Sequence, residues 1–131
     1  MDKGGVQTNF LYPELSYEIR GTLFDVHNEL GGGHKEKYYQ KAVAQSLKSK
    51  NISFVEQYYV PVKFQNEIIV KYYLDFLIEN KIVLELKRGR YTSLGVINQT
   101  KQYLKALNLQ LAIIGCFATD AVITKRILNL Y

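Results

Sequence analysis

From Pro13 onward, Leu15, Ile19, Leu23, Val26 and Leu30 recur at intervals of three or four residues. That is the spacing of one apolar helix face, and it predicts a helix from Pro13 to about Leu30. Pro13 suits the first turn, where its missing N–H removes no hydrogen bond. Gly31, Gly32 and Gly33 end the pattern. A second helix is expected from about Lys35 to Lys50, with Tyr39, Ala42, Val43 and Leu47 inward and lysines outward.

The period then changes. ISFVEQYYVPVKF, EIIVKYYLDFLIE and KIVLELK read as three strands, the first broken or bent by Pro61. Asn66 marks one turn and Glu79, Asn80 and Lys81 the next. Beyond Arg90, Leu94, Ile97, Thr100, Tyr103, Leu104 and Leu107 share a helical face. LAIIGCF is wholly apolar, the signature of a strand buried on both faces, and AVITKRIL reads as a final edge strand. Two helices, three strands, a helix and two strands imply an α/β fold, a mixed sheet with helices packed against it. The N-terminal residues 1–11 are expected to form a loose arm ahead of one domain over residues 12–131.

Two charged positions conflict with this apolar plan. In KIVLELK, alternation puts Glu85 and Lys87 on one face with Val83, and Ile82, Leu84 and Leu86 on the other. A carboxylate or ammonium buried in a strand is costly unless paired or bound to a cation. The preceding strand repeats the conflict with Asp75, set between Leu74 and Phe76. If the two strands form a hairpin turning near Asn80 through three residues, Asp75 and Glu85 are equidistant from the turn. Directly opposed Cβ atoms lie roughly 4.5–5.5 Å apart. Two carboxylates so placed repel unless a cation lies between them, and magnesium takes one or two carboxylates plus substrate phosphate. Lys87 could then hold a phosphate oxygen or orient water. A structural Asp–Lys or Glu–Lys pair at a solvated hairpin end would use the same residue types.

Composition narrows the setting. A net charge of +5 and a pI of about 9.2 favour a polyanionic partner, although the basic residues are scattered along the chain. No apolar run reaches the roughly 18 residues of a membrane span, and MDKGGVQTNF lacks the apolar centre of a secretory signal. No membrane association and a cytoplasmic location are therefore expected. The single Cys116 can form no internal disulfide, and no Cys/His spacing suggests zinc. His34 reads as a surface-turn residue and His27 as a helix-surface residue. Chain reversal accounts for the glycine triplet, which no Gly-Lys-Ser/Thr follows. Tyr58, Tyr59, Tyr72 and Tyr73 fit packing better than base stacking.

LDFLIENKIVLELK resembles the Asp…Glu-x-Lys signature of the PD-(D/E)XK nuclease superfamily. HNELGGGHKEKYYQ is similar to the motif of one of its subgroups, the GxxExxY protein family, as Gly33, Glu36 and Tyr39. NQTKQYLKAL resembles the helix after Glu-x-Lys, with Gln99 and Tyr103 at the expected places, and LAIIGCFATD with KRIL resembles the closing strand pair. Where that family usually carries an Asn-Phe-Gly-like triplet, this chain has Cys116, Phe117 and Ala118.

The resemblance implies a restriction-endonuclease-like fold and metal-dependent hydrolysis of nucleic-acid phosphodiesters, with DNA the expected substrate. It implies Mg²⁺ or Mn²⁺ held by Asp75, Glu85, the Leu86 carbonyl and Glu36, with Lys87 at the phosphate. Gln99 would position a phosphate or a water. A homodimer is expected, through the first helix around Phe24 or the end of the last strand at Leu128, Leu130 and Tyr131. The rival readings are a non-catalytic nucleic-acid-binding module and a protein-interaction subunit that keep the fold without turnover.

Overall fold

The structure is a computed structural model, which describes residues 11–130. The expected arm therefore lies, apart from Leu11, outside the described residues, as does Tyr131. The elements follow the anticipated order: α1 (Pro13–Leu30), α2 (Glu36–Ser49), β1 (Phe54–Phe64), β2 (Glu67–Ile78), β3 (Ile82–Arg88), α3 (Leu94–Leu107), β4 (Leu111–Phe117) and β5 (Val122–Leu128). They build one five-stranded sheet in the order β1-β2-β3-β4-β5. Every neighbouring pair is antiparallel except β3–β4, which is parallel and joined by α3. A parallel connection needs a crossover, and α3 supplies it.

Helices cover both faces. On one, Ile19, Leu23 and Val26 of α1 and Tyr39, Val43 and Leu47 of α2 close over Ile82, Leu84 and Leu86 of β3. On the other, Tyr103 and Leu104 of α3 close over Val83, Ala112, Ile114 and Cys116. β4 is buried along its whole length and β5 is an edge strand, as their patterns require. The helix ends are locally specified. Pro13 opens α1, the Ser93 hydroxyl accepts a hydrogen bond from the Val96 N–H at 3.1 Å, and Asn108 closes α3 in the left-handed region at φ 55°.

The β1–β2 hairpin is less regular than its sequence pattern. Pro61 does not break β1; it pairs with Lys71 inside a continuous strand. β1 is an edge, so the missing N–H removes no bond from a second neighbour. The ladder shifts register between Val62 and Lys63, just beyond Pro61. A second irregularity lies at Gln57, whose φ is +49° and which stands opposite Asp75 between the pairs Glu56↔Phe76 and Tyr58↔Leu74. Regular alternation would put Leu74 on the same face as Phe76. Instead Phe76 packs on the α1–α2 side, whereas Leu74 and Val60 join the α3 side. The hairpin rolls over at this point, and Asp75 sits at the roll.

The three glycines before α2 do more than reverse the chain. Gly31 and Gly33 have φ of 75° and 88°, where side chains are strained. Gly32 lies against the β4–β5 turn, and a Cβ there would be 2.5 Å from the Thr119 Cα. Gly32→Ala is therefore expected to destabilise by about 1–3 kcal/mol, the usual cost of overpacking. Gly95→Ala, in an α3 turn with only the Ser93 hydroxyl near at 3.8 Å, should be neutral or slightly stabilising. Urea unfolding of the two variants beside wild type checks the contrast; equal midpoints would remove the proposed close approach.

Candidate active site

The site is built on an interruption of the sheet. β2 and β3 pair at Ile78↔Ile82, Leu77↔Val83 and Phe76↔Leu84, and there the ladder stops. From Glu85 to Arg88, β3 pairs with β4 alone. The edge so opened carries backbone donors that need partners. Two carboxylates supply them: the Leu86 N–H donates to Asp75 Oδ2 at 2.7 Å, and the Arg88 N–H donates to Glu36 Oε2 at 3.1 Å. On the facing strand the Asp75 N–H donates to Glu85 Oε2 at 2.7 Å. Asp75 and Glu85 thus hold each other's strands reciprocally.

Their position is the expected one, equidistant from a three-residue turn, but the contact differs from a plain cross-strand pair. Each carboxylate uses one oxygen as a substitute for a strand carbonyl. Among the described residues, no hydrogen bond reaches Asp75 Oδ1 or Glu85 Oε1, so each acid keeps one oxygen available.

Burial makes this arrangement costly when both acids are ionised. Glu85 is 5% exposed. Burial first, then the Asp75 charge, pushes its carboxyl up to about 8; the Asp75 N–H and the Lys87 charge oppose this, and the Glu36 charge adds to the rise. Asp75 is also raised, mainly by burial, against the Leu86 N–H and the Lys87 charge. Burial, and after it the Glu85 charge, holds the Tyr103 hydroxyl well above its ordinary range. Without a counter-charge, the pair is stabilised by keeping a proton.

The structure brings Asp75, Glu85, Lys87 and Glu36 into mutual electrostatic range. Lys87 is half-buried on the Glu85 side of β3, while the Leu86 side chain points into the opposite core. Glu36 opens α2, where the helix dipole favours a carboxylate, but it is exposed and engaged with Arg88. Among the described residues no group of three or more His, Cys, Asp or Glu side chains is arranged to hold a metal; two acids converge and the third stands aside. Gln99 is half-buried on α3 and makes no hydrogen bond to either carboxylate among the described residues. One turn further along α3, Tyr103 lies within electrostatic reach of both acids, and its ring meets that of Tyr72 edge-on at 5.0 Å. Sequence spacing marks Tyr103 only as an inward-facing helix residue, with no sign of its charged neighbours.

The donor set fits a hard divalent cation. It offers carboxylate oxygens without a donor among the described residues, in a place where positive charge relieves their repulsion, and such ions bind through one or two carboxylates with water and phosphate completing the shell. Both histidines serve structural roles. His27, expected on the surface, is half-buried; its ring hydrogen-bonds the Ala118 carbonyl at 2.9 Å and stacks with Phe117. The His34 ring reaches the Leu30 carbonyl at 2.8 Å. Cys116 is buried in β4 as expected.

A carboxyl raised on folding makes stability depend on pH. With Glu85 at about 8 in the folded protein and an ordinary 4.5 when exposed, the folded state binds the extra proton between these values. Stability of the metal-free protein is full below about 4.5 and falls as pH rises towards and through about 8. Melting temperatures across this window should fall in wild type and fall less steeply in Glu85→Gln. Parallel slopes would mean that Glu85 is ionised throughout.

Comparisons with known proteins bear on the fold and the family. The chain is similar to the crystal structure of SSO0001, with a TM-score of 0.50 and 15% identity over 88% of this chain and 77% of that one. At that identity the likeness speaks for the fold alone. No curated protein matches the sequence, and no helix of the described residues is long and apolar enough to cross a membrane. A family model for the PD-(D/E)XK nuclease superfamily matches residues 13–127, which include both acids, the lysine and all eight elements but the end of β5. The chain therefore belongs to the PD-(D/E)XK nuclease superfamily, with the restriction-endonuclease-like α/β sheet that its five mixed strands and flanking helices form.

Proposed function

We propose that the protein is a metal-dependent nuclease that hydrolyses nucleic-acid phosphodiester bonds, DNA foremost, at Asp75, Glu85 and Lys87. The observation that carries this reading is the reciprocal Asp75–Glu85 pair, in which each acid is fixed by one oxygen and keeps the other available. Asp75 and Glu85 would hold Mg²⁺ or Mn²⁺. The Leu86 carbonyl belongs to the same residue whose N–H faces Asp75, and in an extended strand the two groups point to the same side; it is the proposed third donor. Glu36, held at the Arg88 N–H through Oε2, would complete the set through Oε1 or a water. When bound, the cation supplies Lewis acidity and positive charge at the scissile phosphate.

The protein's own groups do the positioning. Lys87, beside Glu85 on the same side of β3, holds a phosphate oxygen or orients the attacking water and balances charge in the transition state. Gln99 positions a water or phosphate from α3. The net charge of +5 favours approach of a polyanion. Within the superfamily, Gly33, Glu36 and Tyr39 support membership of the GxxExxY subgroup.

We also propose a homodimer through α1. Tyr17 and Phe24, two turns apart on that helix, are 69% and 49% exposed, a pattern that one core-facing stripe does not explain. Light scattering should then give about twice 15.1 kDa; the monomer mass at micromolar concentration, with and without Mg²⁺ and DNA, would exclude it.

The test of function is a panel of single-stranded, duplex and branched DNA and RNA with Mg²⁺ or Mn²⁺. Wild type should cleave at least one substrate, and Asp75→Ala and Glu85→Ala should abolish cleavage while remaining folded. Lys87→Ala should slow it by roughly 10²–10³-fold, the usual effect of removing one transition-state donor. Cleavage by Glu85→Ala at the wild-type rate would end the assignment.

A further inference from the structure

The Tyr39 hydroxyl is fully buried, yet both of its hydrogen-bonding roles are filled. It donates to the Gly31 carbonyl at 2.7 Å and accepts from the His34 N–H at 3.2 Å. These partners lie at the two ends of the glycine turn, so the hydroxyl fixes the path by which the chain enters α2. The ring lies flat against Phe117, with centroids 4.1 Å apart and planes 8° from parallel. Filling the core requires the ring alone; a buried hydroxyl bridging a turn does something further.

The contacts form a closed circuit. Phe117 is the register partner of Arg88 across the β3–β4 ladder, and the Gly89 N–H donates to the Phe117 carbonyl at 2.9 Å. The Arg88 N–H donates to Glu36 at 3.1 Å. Glu36 and Tyr39 lie three residues apart on α2, on neighbouring turns of one face. From Tyr39 through Phe117 and Arg88 to Glu36 and back, each link constrains the next. The turn is also held from outside, because Gly32 abuts Thr119 and Arg90 pairs with Asp120 of the same β4–β5 turn.

We propose that Tyr39 is a positioning residue whose hydroxyl clamps the glycine turn and thereby holds the Glu36 carboxylate at the open edge of β3. Its bearing on the site rests on the reading of Glu36 as part of the metal centre. The clamp itself does not. In this account Tyr39 touches neither phosphate nor metal and acts only through Glu36.

Tyr39→Phe keeps the ring on Phe117 and removes the hydroxyl. Amide hydrogen exchange of the metal-free protein should show the Arg88 N–H exchanging faster, on the order of tenfold, with Ile113 in β4 unchanged. Glu36→Ala should expose Arg88 equally, and adding Tyr39→Phe to it should change Arg88 no further. Mg²⁺ titrations should show the same pattern: each single variant weakens binding several-fold and the double variant no more than either. Wild-type protection of Arg88 in Tyr39→Phe would overturn the proposal. So would additive effects in the double variant, or faster exchange across the whole sheet, which would reduce the hydroxyl to general support. If wild type binds no Mg²⁺, the metal reading fails, and the exchange of Arg88 still decides the clamp.

Discussion

The site depends on the early end of the β2–β3 ladder. Had these strands stayed paired past Phe76 and Leu84, Leu86 would have met a backbone carbonyl, and an acid at Asp75 would have had no structural task. Because they part, an edge opens beside a buried core, and a buried donor left unpaired costs about 1–3 kcal/mol. Asp75 and Glu85 take up two donors there, and Glu36 takes up a third at the exposed end of the edge. The acids of the candidate site are thus also parts of the sheet. Their removal tests chemistry and architecture at once, which gives variants that keep an acceptor, such as Glu85→Gln, more weight than alanines.

Two opposing demands meet at this edge. The backbone donors favour ionised carboxylates, while burial and mutual repulsion favour protonated ones. For Glu85 burial wins, raising its carboxyl to about 8, even with the Lys87 ammonium and an N–H donor close by. A cation between the two acids would resolve the conflict, since ionised carboxylates bind it and its charge removes the reason for retaining a proton. The roll of the hairpin at Gln57 contributes from the other side, because it carries Leu74 and Val60 onto the α3 face. Asp75 is held at the boundary between the two cores.

Much of this was legible in the sequence. Helical spacing from Leu15 to Leu30, the unbroken apolar run of β4 and the placement of Glu85 and Lys87 inside an apolar strand follow from side-chain period alone. The equal distance of Asp75 and Glu85 from the turn follows from counting. The strand divergence does not, because local propensity says nothing about where a ladder stops. Nor does the left-handed Gln57, a residue with no glycine-like preference for that conformation. The stacking of His27 and Tyr39 on Phe117 joins residues about 80–90 positions apart, and periodicity carries no information across such a separation. Pro61 was the opposite case: a strong local signal for a break, which the edge position of β1 made harmless.

The central claim is that Asp75 and Glu85 form one cation-binding unit that retains a proton when empty. Calorimetric titration of Mg²⁺ or Mn²⁺ at pH 7 in buffers of different ionisation enthalpy measures it directly. Binding should release about one proton per metal at pH 7 and fewer at pH 9, because metal ligands must be deprotonated to bind, and the release should disappear in Glu85→Gln. Absence of binding, or binding with no proton release at either pH, would contradict the account.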